Sequence, residues 1–271
     1  MNTLTDSKKI YLSPSGADIK NGDLNSELRY NLSGLIKKDK YILYNTIRVI
    51  HAELPYSFYI VNEYNNILDL SIGRIIIPFG NYNANSFMKT LEDLTVNAFN
   101  ILFNTTNGKF TFHYNSEFQI LSSTTCYDLI GIKQNKQYSS SGGILECELP
   151  ANFLGSKNIY IKLPNVILEN YNTKTKDYIT LLTIPLNVPP FGIVMYDNGT
   201  SSKNLVKNSQ LDYLDIAIYD DNNNLIDFNG IEWNIVIEIE TTLQVQQNLK
   251  TINEYLGELY NNQNLPQNNN N

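Results

Sequence analysis

A long alternation of apolar and polar residues near the end of the chain constrains the fold most strongly. It reads GIEWNIVIEIETTL from Gly230 to Leu243, with apolar side chains at nearly every second position. Successive side chains of a β-strand point to opposite faces of a sheet, so this pattern predicts a long strand with one buried and one wet face. Trp233, the only tryptophan, lies on the apolar face and is predicted to anchor the core.

The preceding sequence predicts many more strands and one clear helix. Short apolar segments alternate with turn signals such as NYNTK, VPP and DNGTSS. The helix is indicated by apolar residues at helical spacing, namely Phe87, Leu91, Leu94, Ala98 and Ile101. Many irregularly spaced strands with one embedded helix predict a mainly β fold, a single jelly-roll β-sandwich.

The chain is predicted to have three segments. Residues 1–26 contain the turn-rich SPSGADIKNGD without apolar periodicity, which favours an extended N-terminal arm. Residues 27–243 would form the jelly-roll domain, with a helix-containing insertion near 80–132. Residues 244–271 would form a short amphipathic helix and an asparagine-rich tail, which is too polar to fold alone.

Charge and composition exclude several kinds of partner. A net charge of −7 argues against whole-surface binding to nucleic acid or to an anionic membrane. Basic residues are nevertheless concentrated between Lys8 and Arg48, which leaves a weak genome contact through the N-terminal region open. Because the N-terminus lacks the apolar core of a secretory signal, and no apolar run reaches about 18 residues, we expect a soluble protein made inside the cell, with no membrane partner.

The chain offers little material for catalysis or metal binding. His51 and His113 lie in strand contexts, and neither is near a Gly-x-Ser-x-Gly or papain-like cysteine motif. Cys126 and Cys147 form no Cys-x-x-Cys pair of the kind that binds zinc, and two cysteines make no disulfide framework. We therefore predict no catalytic residue, no cofactor and no metal site.

One loop, DDNNNLIDFNGI, partly follows the pattern of a calcium-binding loop. Asp220, Asn222 and Asn224 occupy the alternating positions at which such a loop places its ligands. The sixth and twelfth positions, however, hold Leu225 and Ile231, where the loop requires glycine and glutamate. A hairpin turn is therefore predicted, since Asp and Asn tolerate left-handed backbone.

Several motifs, taken in order, resemble those of a known family. They read IPFGNYNANSFMKTLED, GKFTF, CYDLIGI, PPFGIVMYDN, LDYLDIAIYDDNNNLIDFNG and IEWNIVIEI. This order is similar to that in the penton, or minor capsid, protein of virophages, Polinton-like viruses and adintoviruses. The motif positions singled out are Gly80, Asn81, Tyr82, Gly131, Asp227, Phe228, Asn229, Gly230 and Trp233.

The resemblance implies a structural virion protein without enzymatic activity. Such a protein forms homopentamers at the fivefold vertices of an icosahedral capsid, beside a double jelly-roll major capsid protein of the same virus. It would be made in the host-cell cytoplasm and located in the virion. Within this fold, Gly230 would permit the turn before the closing strand, where a side chain would crowd the backbone.

Two other classes of function stay open. The first is a receptor- or glycan-binding β-sandwich module of a virion, which exposed aromatic residues clustered at one end would indicate. The second is a jelly-roll enzyme, which a concave site with convergent carboxylates or both histidines would indicate. The fold alone does not separate these classes from a capsid role.

Overall fold

A computed structural model describes residues 3–36, 42–197, 203–207 and 211–244. Of the segment predicted over 244–271, only Gln244 falls within these ranges, as the last residue of a strand. The predicted C-terminal helix and tail lie outside the described residues.

The described chain is mainly β. Its strands are β1 (Thr3–Leu12), β2 (Ile19–Lys20), β3 (Glu27–Asn31), β4 (Ile42–Pro55), β5 (Ile67–Leu70), β6 (Gly73–Ile76), β7 (Asn100–Asn104), β8 (Lys109–His113), β9 (Gln119–Ile120), β10 (Tyr138–Ser139), β11 (Ile144–Glu146), β12 (Asn158–Lys162), β13 (Thr180–Pro185), β14 (Ile193–Asp197), β15 (Asn204–Val206), β16 (Tyr213–Tyr219) and β17 (Asn234–Gln244). The α-helices are α1 (Ala84–Leu94) and α2 (Tyr127–Ile130).

Two antiparallel sheets face each other across one core. The first has the order β1-β17-β4-β14, with β15 also paired to β4, and the second has the order β13-β12-β16-β3-β2. Buried apolar residues of both sheets form a continuous cluster that includes Ile47, Ile161, Ile216 and Trp233. The two sheets therefore form a β-sandwich.

The strand pairing identifies this sandwich as a jelly roll. Its eight principal strands are, in chain order, β1, β3, β4, β12, β13, β14, β16 and β17. The first pairs with the eighth, the second with the seventh, the third with the sixth and the fourth with the fifth. Nested pairs divided between two antiparallel sheets form the double Greek key of a jelly roll. The predicted fold class is confirmed.

The closing strand β17 lies in the middle of the first sheet, between β1 and β4. Its alternate residues Ile235, Ile237 and Ile239 are buried in the core, as the sequence pattern predicts. Trp233 is fully buried just before the strand begins, and its indole N–H donates to the Asn25 carbonyl at 2.7 Å. The tryptophan thereby ties the closing strand to the segment that precedes β3.

The beginning of the chain differs from the predicted extended arm. Thr3–Leu12 pairs with β17 along its whole length, from Thr3 opposite Gln244 to Leu12 opposite Ile235. Most side chains of this edge strand are exposed, and Leu12 is buried at its end. Backbone hydrogen bonds to β17 hold the strand, so it needs no apolar alternation that a sequence pattern could reveal. The arm predicted over 1–26 is corrected accordingly.

The chain between β4 and β12 builds a second core. This insertion contains a sheet of order β10-β9-β5-β6, a sheet of order β11-β8-β7, and both helices. Its buried residues run from Val61 to Cys147 and include Phe87 and Phe110. They extend on both sides of the region near 80–132 where the sequence placed the insertion.

Helix α1 is shorter than its apolar spacing predicts. Asn83 begins it with a capping box, in which its side chain accepts from the Ser86 N–H at 2.9 Å and its own N–H donates to the Ser86 hydroxyl at 3.0 Å. The helix ends at Leu94 because the chain turns at Val96, which has a φ of 54°. Ile101, predicted in the helix, belongs to β7.

Candidate functional site

The chain passes from the jelly roll into the insertion through a crossover, residues 56–61. The closing segment of the jelly roll holds one end of it. The Ser57 hydroxyl donates to the Phe228 carbonyl at 2.7 Å, and the Asn229 side-chain amide donates to the Ser57 carbonyl at 2.6 Å. The buried Phe228 ring packs edge-on against Phe58, with ring centroids 6.3 Å apart.

The Gly-Asn-Tyr turn of the insertion holds the other end of the crossover. Gly80 and Val61 exchange two backbone hydrogen bonds of 3.0 Å, and the side-chain amide oxygen of Asn81 accepts from the Ile60 N–H at 2.9 Å. Tyr82 points elsewhere, and its ring packs edge-on against a phenylalanine of α1. Gly80, Asn81, Phe228 and Asn229 thus meet at one junction.

Asp227 and Gly230 shape the turn that presents Phe228 and Asn229. The Asp227 carboxylate accepts from the Asn229 N–H at 2.8 Å, and Asn229 and Gly230 have φ values of 51° and 75°. A Cβ on Gly230 would meet no other heavy atom within 4 Å. The crowding predicted at Gly230 is therefore wrong: glycine serves the left-handed backbone there, and space is not limiting.

Gly131 lies apart from the crossover. Its position requires glycine both for a left-handed backbone and for lack of space. It ends α2 with a φ of 79°, and a Cβ on it would stand 2.1 Å from the Leu149 carbonyl oxygen. Its own carbonyl accepts from the Leu149 N–H at 2.8 Å. The glycine thus lets the chain that returns to β12 pack directly against α2.

A cleft of about 590 Å³ opens beside the crossover, between the insertion and the jelly roll. Aromatic side chains of the insertion line one wall, namely Tyr59, Tyr64, Phe79 and Tyr127. The other wall comes from the connection between β16 and β17, including Asp220, Asn222, Asn224 and Asp227. We define this cleft, between these two walls, as the junction cleft.

The two walls of the junction cleft influence each other electrostatically. Burial, a hydrogen bond with Glu63 and the negative charges of Glu63 and Asp220 together raise the pKa of Tyr64. Burial and the charge of Asp128 raise the pKa of Tyr127. Both phenols therefore remain protonated, and neutral, at physiological pH.

The junction cleft carries an excess of negative charge. Its acidic residues are Glu63, Asp128, Asp220, Asp221 and Asp227, against the two lysines Lys157 and Lys174. Lys174 donates to Asp221 at 2.8 Å. Burial opposes the ionisation of Asp221, but hydrogen bonds from Lys174, Asn158 and the backbone outweigh it, so its pKa lies far below the usual range.

The predicted hairpin turn at DDNNN is confirmed. Tyr219 bridges to Leu225, and the Asp220 carboxylate accepts from the N–H groups of Asn222 and Asn224 at 2.8 Å each. The carboxylate thereby stabilises the turn itself. Within the described ranges, no group of three or more His, Cys, Asp or Glu side chains is arranged to hold a metal ion.

The histidines and cysteines lie in unrelated parts of the fold. His51, on β4, stands 3.3 Å from a Glu53 carboxylate oxygen, whereas His113 ends β8 in the insertion. Cys126 and Cys147 are buried free thiols, and burial raises the pKa of Cys147 to about 12. Such a thiol is protonated and a poor nucleophile. No helix in the part of the chain that the structure describes is long and apolar enough to cross a membrane.

The sequence alone does not reveal the junction cleft, because the apolar and aromatic residues of YSFYIVN also fit a β-strand. YSFYIVNEYNN holds three tyrosines and several asparagines within eleven residues, and it forms the crossover and part of the aromatic wall. Ligand sites are commonly lined by aromatic side chains with a few polar groups among them. The opposite wall comes from DDNNN, which lies far away in the sequence, so no local pattern connects the two walls.

Comparisons with known proteins give one kind of match. No family model and no curated protein matches the chain. Among solved structures, the crystal structure of the selenomethionine-labelled penton protein of mavirus is similar, with a TM-score of 0.41 and 9% sequence identity. The similarity covers 89% of this chain and 100% of that one. The jelly-roll assignment rests on the strand pairing of this chain.

Proposed function

We propose that the chain is a structural capsid protein, a penton subunit that forms pentamers at the fivefold vertices of an icosahedral virion. One observation carries the proposal: four of the nine motif positions that underlie the family resemblance contact one crossover. Gly80 and Asn81 bind one end of the crossover, and Phe228 and Asn229 bind the other.

The outer edge of β14 is the surface proposed for contact between copies. Ile193 and Met195 on this edge strand are 61% and 62% exposed, and Phe191 beside them is also exposed. An exposed apolar edge strand promotes uncontrolled association unless a partner covers it. In a closed ring, each copy covers the β14 edge of the next copy. Every β14 edge in the ring is therefore buried.

Native mass spectrometry of the purified full chain over a concentration series tests the proposal. We expect a discrete pentamer, which the double variant I193D/M195D converts to monomer because a buried, unpaired carboxylate is costly. I76D is the matched control, since Ile76 is 63% exposed on β6 of the insertion and should leave the pentamer intact. A monomer at every concentration, also with the major capsid protein present, would contradict the proposal.

The proposal extends to a double jelly-roll major capsid protein as neighbour and to the virion as location. Co-expression of both proteins, followed by sedimentation of the assembled particles, tests this. We expect the chain to sediment with the particles, in an amount limited by the number of fivefold vertices. Recovery only in the supernatant would contradict the location. No catalytic role, cofactor or metal is part of the proposal.

A weak genome contact through the basic N-terminal region would depend on lysines. Arg29 is bound by both carboxylate oxygens of Asp215, at 2.6 and 2.7 Å, and Arg48 contacts Glu238 at 2.6 Å. Lys8, Lys9 and Lys20 are exposed, whereas Lys37, Lys38 and Lys40 lie outside the described residues. Binding to duplex DNA should therefore weaken steeply as salt rises, and salt-independent binding would contradict such a contact.

A further inference from the structure

We propose that the junction cleft binds a neutral glycan, a role beyond the structural one. The cleft lies between two cores of the chain, where ligand sites commonly occur, and its volume of about 590 Å³ suits a ligand of a few sugar rings. One wall is aromatic and the other is rich in Asp and Asn. This combination matches the two surfaces of a sugar, whose C–H faces are apolar and whose rim carries hydroxyl groups.

Tyr64 and Phe79 provide the apolar platform. Both belong to the aromatic wall, and both are about half exposed, so their rings are accessible to a ligand without rearrangement. Rigid aromatic rings supply a large contact area at a low cost in side-chain entropy. Covering these half-exposed rings with a ligand removes apolar surface from water, and this favours binding.

Three polar groups of the same wall are available for hydrogen bonds. Among the described residues, the Asp128 carboxylate and the hydroxyls of Tyr59 and Tyr127 have no hydrogen-bond partner. By contrast, Asp220 and Asp221 are engaged by the turn and by Lys174. A carboxylate with two phenols can accept from and donate to neighbouring hydroxyls of one sugar.

The charge of the cleft decides which glycans can enter. Five acidic side chains face two lysines, and one of these lysines is already paired with Asp221. Like charges across an interface suppress the wrong partner. Sialylated and sulfated glycans, like nucleic acids, are therefore disfavoured, and neutral sugars are selected.

Ligand-observed NMR titration of the full chain with defined sugars tests this inference. The probes are maltotriose, chitotriose, mannotriose and lactose, with 3′-sialyllactose as the anionic match for lactose. We expect millimolar binding of at least one neutral probe and at least tenfold weaker binding of 3′-sialyllactose. Absence of binding by all four neutral probes would overturn the inference, as would tighter binding of 3′-sialyllactose or of a single-stranded DNA oligonucleotide.

Variants of the aromatic platform locate the binding. Y64A and F79A should each weaken binding of the best probe at least tenfold, whereas Y64F should preserve it because the ring remains. D128N should weaken binding severalfold by removing the carboxylate. Y171A is the matched control, an exposed tyrosine outside the cleft, and should leave binding unchanged. Unchanged binding in Y64A and F79A, with unchanged melting temperatures, would overturn the inference even if a sugar binds.

Discussion

Gly131 and Gly230 share a left-handed backbone, with φ values of 79° and 75°, but differ in their surroundings. We expect Gly230→Ala to lower the free energy of unfolding by about 1–2 kcal/mol, the cost of a left-handed non-glycine residue. Gly131→Ala should cost about 1–3 kcal/mol more, because its Cβ would displace the Leu149 carbonyl. Urea unfolding measures both losses, and equal losses would contradict this account of Gly131.

Trp233 and Ile231 provide a second comparison at the residue scale. Trp233 is fully buried and bonded to the Asn25 carbonyl, whereas Ile231 is half-exposed two residues earlier. Trp233→Ala should lower the free energy of unfolding by about 3–5 kcal/mol, through a large cavity. Ile231→Ala, the control, should change it by less than about 1 kcal/mol. Urea unfolding followed by circular dichroism checks this, and similar midpoints for both variants would remove Trp233 from the core.

At the scale of elements, the connection between β12 and β13 is tied to the second sheet by a buried ion pair. Lys162, whose side chain is 4% exposed, contacts Asp177 at 2.7 Å and donates to the Asn223 side chain at 2.8 Å. Burial opposes the ionisation of Asp177, but hydrogen bonds from Lys162 and Thr180 outweigh it and lower its pKa to about 2. The Asp177 carboxylate therefore binds its proton less readily in the folded chain than in the unfolded chain.

This depressed pKa predicts a loss of stability in acid. The contribution of Asp177 is fully present above the unfolded pKa of about 4 and is lost as the pH falls toward 2. We expect about 2 kcal/mol of the wild-type unfolding free energy to disappear over this interval, a component that Asp177→Asn lacks. Urea unfolding at closely spaced pH values measures it. Identical acid dependence in both proteins would show that Asp177 is not responsible.

The same variant tests the pair at neutral pH. Asp177→Asn leaves the Lys162 ammonium buried without its counter-charge and should cost about 3–5 kcal/mol. The double variant Lys162→Met, Asp177→Asn should recover much of this loss, because it removes the buried charge as well. A double variant that is less stable than Asp177→Asn would mean that Lys162 stabilises the fold mainly through other contacts.

Elements with a strong local pattern were predictable, and those held by distant partners were not. Strand β17 carries an apolar alternation, and its buried isoleucines match it. Strand β1 has exposed side chains and depends on β17, more than two hundred residues away, so its sequence resembles an arm. The apolar spacing predicts too long a helix α1, because it continues to Ile101 although the backbone turns at Val96. Apolar periodicity indicates which residues are buried, but it does not show where the chain changes direction.

At the scale of the whole molecule, two separate cores share one chain. The insertion core includes residues from Val61 to Cys147, and about 100 residues are enough to bury a core of their own. We expect residues 56–157, expressed alone, to fold with dispersed amide NMR signals. Phe87→Ala in the full-length chain tests the same core, and it should weaken the insertion by about 3–5 kcal/mol. A collapsed, random-coil spectrum of the fragment would mean that the insertion needs the jelly roll to fold.

The sequence predicted the fold class but not how the pieces meet. A succession of short strands indicates a sandwich, whereas the nested pairing depends on contacts between residues far apart in the chain. The junction cleft is the clearest case, because its walls come from the crossover near Tyr59 and the hairpin near Asp220. Motif residues such as Asn81 and Asn229 could be singled out by resemblance, but their shared contact with the crossover appears only in three dimensions.

The pairing of Thr3 with Gln244 also sets the order in which the molecule can be finished. Strand β1 must wait for β17, which is synthesised more than two hundred residues later, because β17 fills the place between β1 and β4. The insertion, whose contacts are more local, can condense while synthesis continues, but the first sheet stays open until β17 has been made. During that interval the unpaired edges of β1 and β4 are open to pairing with other nascent copies.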